Sequence, residues 1–332
     1  MSVLVVAQQE IPALLPMPEC IDLMAATLAQ LARGEALLPL RTVLPHPDRT
    51  GAFAVMPAYT ASPAAFGVKA ITVFPGNEGT PLDSHQGAVL LFEAERGELM
   101  AIMDASAITA IRTAAVSGVA TRLLAREDAG TLALLGSGVQ SRTHLEAMLS
   151  VRPIRSVRVW SRTPGHAREF ARRESGRHGV DVQATPSAEA AVRGAGIVCT
   201  VTASREPVLS GRWLAPGTHV NAVGSSTPWA RELDAAALAR ARLYVDRRES
   251  TLHEAGDFLA ARAEGAVDDA HIQAELGEVL VGAAPGRRSP DEITLFESLG
   301  LAIEDVASAS FIYRRARERG AGTTIDLGGK RA

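Results

Sequence analysis

An apolar run that breaks at two glycines and resumes as a helix pattern constrains this chain more than any other stretch: Thr131-Leu-Ala-Leu-Leu-Gly136-Ser137-Gly138-Val139-Gln140-Ser141-Arg-Thr-His-Leu-Glu-Ala-Met-Leu149. Five apolar-rich residues form a strand. Gly136 permits a tight turn off it, and Gly138 lets backbone approach a pyrophosphate with no Cβ in the way. The helix that follows would present its N-terminal N–H groups and positive dipole end to the phosphates. Gly136, Ser137, Gly138, Val139 and Gln140 are therefore candidate contacts for a dinucleotide. Ser141 stands where a third small residue would pack helix on strand, and a serine there also suits a helix N-cap.

The next strand pattern, Ser156-Val-Arg-Val-Trp160, ends in Ser161-Arg162-Thr163. A site for NAD usually places a carboxylate at that strand end to bond the ribose 2′-hydroxyl. None is available here. A guanidinium flanked by two hydroxyls suits a 2′-phosphate, so the expectation is NADPH in preference to NADH, with Ser161, Arg162 and Thr163 as contacts. Thr200, Val223 and Gly224, at later strand ends, complete the candidate cofactor set.

Length and charge fit this expectation. With 332 residues the chain can bury one large core or two ordinary ones, and a net charge of −3 offers no basic stripe for nucleic acid. No partner of that kind, and no membrane, is expected, because the apolar runs fall short of a span and Met1-Ser-Val-Leu-Val-Val lacks the basic start of a signal peptide. The expected compartment is the cytoplasm. Two cysteines, Cys20 and Cys199, give no disulfide framework, and the eight histidines show no metal-ligand spacing.

Along the chain, residues 19–33 read as helix, and 39–99 read as a sheet with Pro, Gly and Asn turns. A long helix follows at 104–125. Strand and helix signals then alternate at 131–135, 141–149, 156–160, 164–178, 196–202, 219–223 and 242–246, which predicts a parallel, helix-covered sheet. Residues 267–280 and 297–317 read as helices, and the segment after Gly320 is expected to return to the first domain.

Charges in apolar surroundings mark a second site. In Ile108-Thr-Ala-Ile-Arg112-Thr-Ala-Ala-Val-Ser-Gly-Val119 the arginine is the only charge in a helix pattern of small residues. Buried alone it would cost several kcal/mol on the order-of-magnitude scale for desolvated ions, so a protein carboxylate or a ligand anion must neutralise it. Lys69, in Phe66-Gly-Val-Lys69-Ala-Ile-Thr-Val73, is either a second such cation or a strand lysine facing water. Arg41 follows Leu37-Leu-Pro-Leu40 and is the weakest of the three.

Together, Arg41, Met56-Pro57, Val68-Lys69, Ser84-His85-Gln86, Asp104, Ile111-Arg112-Thr113-Ala114-Ala115, Gly136-Ser-Gly138-Val-Gln140 and Asn221-Ala-Val-Gly224 resemble the ornithine cyclodeaminase and mu-crystallin family over nearly the whole chain. The Arg-Thr-Ala-Ala run, followed some two dozen residues later by Gly-x-Gly-x-Gln, carries most of the specificity. The resemblance implies an α/β protein: a Rossmann-type parallel-sheet domain at 118–302, and an α+β substrate-binding and dimerisation domain at 1–117 completed by 303–332. It also implies a homodimer. In that family the counterparts of Arg41, Lys69 and Arg112 surround the carboxylate of an amino or imino acid in front of the nicotinamide.

Departures within the motif select a branch. Relatives that cyclise ornithine or dehydrogenate alanine resemble one another in carrying Gly-Asp-x-Pro after the Asn-Ala-Val-Gly strand, whereas this chain has Gly224-Ser225-Ser226-Thr227-Pro228. A serine cannot hold an ammonium by charge or take its proton as a carboxylate does. The ornithine branch also places a glutamate before Met-Pro, where Ala54 and Val55 stand here. The pattern is most similar to the ketimine reductase branch, which implies hydride transfer from NAD(P)H to C2 of a small, cyclic 2-imino carboxylate. Arg112 and Arg41 would clamp the carboxylate, Lys69 would supply or relay a proton, Ser226 would offer a neutral hydrogen bond, and His85 is a secondary candidate for proton traffic and substrate contact. The alternatives are an acyclic imine as the substrate of the same reduction, deamination of a free amine, with Asp83 or Asp104 as the replacement carboxylate, and a crystallin-like protein that binds NADPH and a carboxylate ligand without turnover.

Overall fold

The computed structural model describes residues 2–77 and 79–328. It divides into two compact units, Met1–Arg112 with Leu301–Ala332, and Thr113–Gly300. These boundaries fall a few residues from the expected 117/118 and 302/303. Arg112 lies on the first unit's side, and its side-chain partners Glu304 and Asp305 belong to the same unit.

The strands in chain order are β1 Ser2–Val6, β2 Ala36–Leu37, β3 Thr42–Pro45, β4 Ala52–Ala61, β5 Ala64–Val73, β6 His85–Glu93, β7 Leu99–Asp104, β8 Thr131–Leu135, β9 Ser156–Trp160, β10 Asp181–Ala184, β11 Ile197–Thr200, β12 His219–Ala222, β13 Arg242–Val245, β14 Ile272–Glu275, β15 Thr294–Glu297 and β16 Thr323–Asp326. The first unit holds one sheet in the order β16-β1-β7-β6-β5-β4-β2, with β3 on β4. Its pairs are antiparallel except β1 with β7. Alternation in β4 buries Ala54, Met56, Ala58 and Thr60 while the residues between them are more open, the period-two signature of a sheet with one covered face.

Helix Ala302–Arg319 lies across β4, β5 and β6. Its close approach depends on Gly67. A Cβ at Gly67 would sit 2.7 Å from Val306 Cγ2, inside any van der Waals contact. Lys69 is two residues further along β5 and so faces the same way as Gly67, towards the turn of helix that carries Asp305. β16 pairs antiparallel with β1, so the segment after Gly320 does return to the first unit.

The second unit is a wholly parallel sheet in the order β10-β9-β8-β11-β12-β15-β13-β14. β11, β12 and β15 are buried at every position, as central strands covered on both faces must be. From β8 the chain winds outward to β9 and β10, then crosses to β11 and β12. Open α/β sheets take their ligands at the carboxyl ends of the strands that flank such a reversal, here β8 and β11.

Three expectations need correction. Residues 267–280 are not one helix: Ile272–Glu275 is the edge strand β14, followed by a short helix Leu276–Leu280. Helix 297–317 begins instead at Ala302, and Thr294–Glu297 is the buried strand β15. Short, fully buried strands lack the alternation that identifies a strand from sequence. Finally, Ala105–Leu124 is long and apolar enough by length and composition to cross a membrane, but 78% of its most apolar window is buried, as in a core helix.

Candidate active site

In the first unit, four charged side chains meet in the core. Lys69 is 2% exposed and Arg112 4% exposed, while Glu304 and Asp305 are fully buried. Arg112 Nη1 donates to Glu304 Oε2 at 2.8 Å, and its Nε donates to Asp305 Oδ1 at 3.0 Å. Lys69 Nζ lies 2.8 Å from Asp305 Oδ2 and 3.4 Å from Thr109 Oγ1. Asp305 thus bridges the two cations. The reading of Lys69 as a solvent-facing strand lysine is overturned, and the requirement that Arg112 be neutralised is met by protein carboxylates.

Burial lowers the Lys69 pKa to about 8, and the neighbouring Arg112 adds to the effect against the opposing pull of Asp305. For Asp305, burial pushes upward, but Arg112 and Lys69 outweigh it, so the carboxyl sits below its usual range and stays ionised. A lysine poised near 8 is charged at neutral pH and gives up its proton without great cost, which suits proton transfer.

Arg41 is half-buried between β2 and β3 and lowers the Lys69 pKa further, so it belongs to the same field. His85 opens β6; partial desolvation, then Lys69 and Arg112, lower its pKa, and its Nδ1 lies 3.1 Å from Ser84 Oγ. All four sequence-predicted residues of the first unit are therefore electrostatically linked. Of the carboxylates suggested as replacements, Asp104 Oδ1 accepts from Ala107 N at 2.8 Å at a helix start, while Asp83 Oδ2 accepts from Gln8 Nε2 at 2.8 Å and its charge opposes the lowering of the His85 pKa. Glu304 and Asp305 went unnoticed in the sequence. Their signal was the one that exposed Arg112, a charge set among small apolar residues, here Leu299-Gly-Leu-Ala-Ile-Glu304-Asp305-Val-Ala-Ser-Ala.

The second unit offers a cradle for a dinucleotide. Gly136 has φ +121°, and a Cβ there would sit 2.7 Å from Val201 O, so the turn demands glycine. Around Gly138 the space for a Cβ is open. Gly138 is also the N-cap of helix Val139–Val151 and provides no side-chain cap, so the first-turn N–H groups are available to an anion. Ser141 is not the cap. It is fully buried inside the helix, in the packing role of the third small residue.

Two residues lock this helix in place. His144 Nδ1 lies 2.8 Å from Gln140 O and its Nε2 2.9 Å from Ser117 Oγ. Burial pushes His144 down to about 4, so the ring is neutral; Nδ1 donates to the carbonyl and Nε2 accepts from the hydroxyl. At the end of β9, Ser161 is half-buried and Arg162 and Thr163 are exposed, ahead of helix Pro164–His178, which also lacks a side-chain cap. Thr200 and Val223 are buried at the ends of β11 and β12, with Gly224 half-buried beyond. Ser226 is half-buried; its neighbour Ser225 is buried and donates to Glu297 Oε1 at 2.6 Å. The residues present therefore fit a nicotinamide dinucleotide. Among the described residues no cluster suits a metal ion.

The profile of the ornithine cyclodeaminase/mu-crystallin family matches residues 1–320. The chain belongs to that family. The mouse protein "ketimine reductase mu-crystallin" is 43% identical over 291 residues, which cover 87% of this chain and 89% of the mouse one. Among solved structures, Thermococcus litoralis Δ1-pyrroline-2-carboxylate reductase in complex with NADH and L-proline superposes with a TM-score of 0.94 at 38% identity, covering 97% of this chain and 99% of the other. An archaeal alanine dehydrogenase dimer with bound NAD gives a TM-score of 0.93 at 32% identity, covering 99% and 100%. As a member of this family the chain is an oxidoreductase with an α/β, nicotinamide-binding fold.

Proposed function

We propose that this enzyme reduces the C=N bond of a small, cyclic 2-imino carboxylate to an L-amino acid such as proline or pipecolate, with NADPH preferred over NADH. The observation that carries the reading is a buried lysine of pKa about 8 in a chain that has Ser226 in place of the family's amine-binding aspartate. Oxidation of an amine needs a base beside the nitrogen. Reduction of an imine needs instead a proton on nitrogen and an anion clamp, which Lys69, Arg112 and Arg41 provide.

Gly136 to Gln140 would hold the pyrophosphate, Ser161 to Thr163 the 2′-phosphate, and Thr200, Val223 and Gly224 the nicotinamide end. When bound, the reduced nicotinamide supplies a hydride to C2. Arg112, its plane fixed by Glu304 and Asp305, would bind the substrate carboxylate together with Arg41, and this fixes the position of C2. Lys69 Nζ, held by Asp305, would protonate the imine nitrogen. A protonated C=N is the stronger electrophile, so positive charge placed there accelerates the step. Ser226 would add a neutral hydrogen bond. His85, of lowered pKa, would be mostly neutral at pH 7 and able to pass protons between Lys69 and water.

A second copy of the chain is the partner we assign to the first unit's apolar surface. Leu37 is 69% and Leu44 67% exposed, and a groove of about 470 Å³ is lined by Leu37, Pro39, Pro57, Tyr59, Phe66 and Phe92. A homodimer also accords with the archaeal dimer. The cytosol suits Cys20 and Cys199, which are both free and buried.

The test is NADPH oxidation against a panel of cyclic and acyclic imino acids, with ornithine and alanine as reverse-direction controls. Turnover of five- or six-membered cyclic imino acids is expected, and the ring size is read from relative kcat/KM. Ammonia release from ornithine at a comparable rate would overturn the reductase reading.

A further inference from the structure

Beyond the residues that would touch the cofactor, the second unit contains a group of buried carboxylates with no established role. Glu232, in Trp229-Ala-Arg-Glu232-Leu-Asp234, has no exposure to solvent. Its Oε1 accepts from Thr202 N at 2.5 Å and from Thr202 Oγ1 at 2.6 Å, and its Oε2 accepts from Gly224 N at 2.7 Å. One carboxylate thus staples the segment leaving β11 to the segment leaving β12. The fit is close: a Cβ on Gly224 would sit 2.1 Å from Thr202 O and 2.5 Å from Glu232 Cδ, so the residue there must be glycine.

We propose that Glu232 is a positioning residue for the cofactor: acting through Thr202 and Gly224, its carboxylate sets the spacing of the two strand ends that receive the nicotinamide. This rests on the cofactor assignment given above. The staple is strongest while Glu232 is ionised, because the Thr202 and Gly224 amides can only donate to it and a carboxylate is the better acceptor. A protonated carboxyl turns its proton to Thr202 Oγ1 and is a weaker acceptor for the two amides.

The groups packed around Glu232 make that ionisation sensitive. From helix Gly256–Ala263, Asp257 accepts Glu232 N at 2.8 Å and Leu233 N at 2.9 Å. Glu297 closes β15 and holds Ser225, and Asp246 follows β13 and accepts Leu299 N and Gly300 N at 2.7 and 2.8 Å. On β11, Cys199 is a buried thiol kept neutral by burial. The cation Arg231 is drawn off to Glu264, 2.7 Å away. Burial and the nearby Asp257 raise Glu232 to about 7, and burial drives Asp257 and Glu297 upward as well. Acidification through about pH 7 would therefore weaken the staple.

Binding of NADPH to the full-length protein tests this, followed by fluorescence titration on both sides of neutral pH, with kcat and the cofactor KM measured in parallel. The wild type is expected to bind more weakly as pH falls through about 7. Glu232→Gln puts an amide NH2 against donors, so it should raise the cofactor Kd and KM about tenfold, change kcat less, and flatten the pH dependence in that window, the scale of a lost charge-assisted hydrogen bond. Thr202→Val should weaken binding severalfold and Thr202→Ser should restore most of the loss. If Glu232→Gln binds NADPH with wild-type affinity and pH profile, the proposal is overturned. If that variant does not fold, equal affinities for Thr202→Val and Thr202→Ser overturn it instead. Failure of the wild type to bind NADPH or NADH at any pH is a different result, and it would remove the cofactor assignment itself.

Discussion

Asp305 in the first unit and Glu297 in the second are both carboxylates without solvent exposure, and their acidities are driven in opposite directions. Asp305 faces Arg112 and Lys69, whose attraction exceeds the burial penalty. Glu297 faces Asp257, Glu232 and Asp246, which add to that penalty. Burial alone therefore decides little. The sign of the neighbours separates a mixed-charge cluster that holds its carboxylate ionised from an acidic cluster whose carboxyls are pushed towards protonation.

The contrast is broken most severely by removing one member of the charged set. Asp305→Asn removes the carboxylate that bridges Lys69 and Arg112 and leaves Glu304 on Arg112, and breaking a buried pair costs about 3–5 kcal/mol. Urea unfolding should show a loss of that size. The Lys69 pKa should fall further, which would appear as a shift of the alkaline limb of the rate profile to lower pH.

Arg112→Ala should lower kcat/KM on the order of a hundredfold or more, the scale for losing a positioned anion clamp, and Arg112→Lys should recover only part of it. Because Arg112 also neutralises Glu304 and Asp305, unfolding must be measured beside the kinetics. A variant that is folded and fully active would show the arginine to be purely structural.

Lys69 sharpens the comparison through pH. Its charged form is lost as pH rises through about 8, so reductase rates should fall above that point, and Lys69→Met should lose most activity together with this limb. Stability runs the other way. Between about 8 and the ordinary lysine range the unfolded chain holds a proton that the folded protein has released, so this residue makes stability rise with pH there. For Glu232 the folded form retains a proton up to about 7 that the unfolded chain has lost, so its contribution falls as pH climbs towards 7.

Two smaller effects complete the series. Arg162→Ala should narrow or reverse the preference for NADPH by about 1.5–3 kcal/mol, read as the ratio of kcat/KM for the two cofactors, and equal use of both by the wild type would refute a 2′-phosphate site. Ser226→Ala should cost only about 0.5–1.5 kcal/mol in reductase efficiency, since a neutral hydrogen bond is all that is removed.

Legibility followed the local physics. The glycine turn and the helix after it could be read because their signals lie within a few positions of each other, and at Gly136 the turn meets a local steric demand that only glycine satisfies. Arg112 stood out because a charge among small apolar residues is conspicuous. Its counter-ions carried the same mark, but the stretch around them is separated from it by nearly two hundred positions, and nothing local pairs them. Strand β15 was hidden because a four-residue strand buried on both faces has no alternation to display. Glu232 was hidden too: in Arg231-Glu232-Leu233-Asp234 it reads as one of several surface charges, and only the folded backbone shows two strand ends closing on it.

The chain separation between the cations and their partners has a consequence for biosynthesis. Lys69 and Arg112 leave the ribosome before Glu304 and Asp305, which lie 192 and 193 residues beyond Arg112. Residues 113–300 form a contiguous unit that can complete its own sheet as it is made. The first unit cannot. Until helix Ala302–Arg319 arrives, its sheet lacks the cover that Gly67 was shaped to receive, and two cations destined for burial remain in water. Helix Ala302–Arg319 is thus what commits the charged cluster to its folded form, and a nascent chain stalled before it would have a complete 113–300 sheet while the Lys69–Arg112 cluster still lacked its counter-ions.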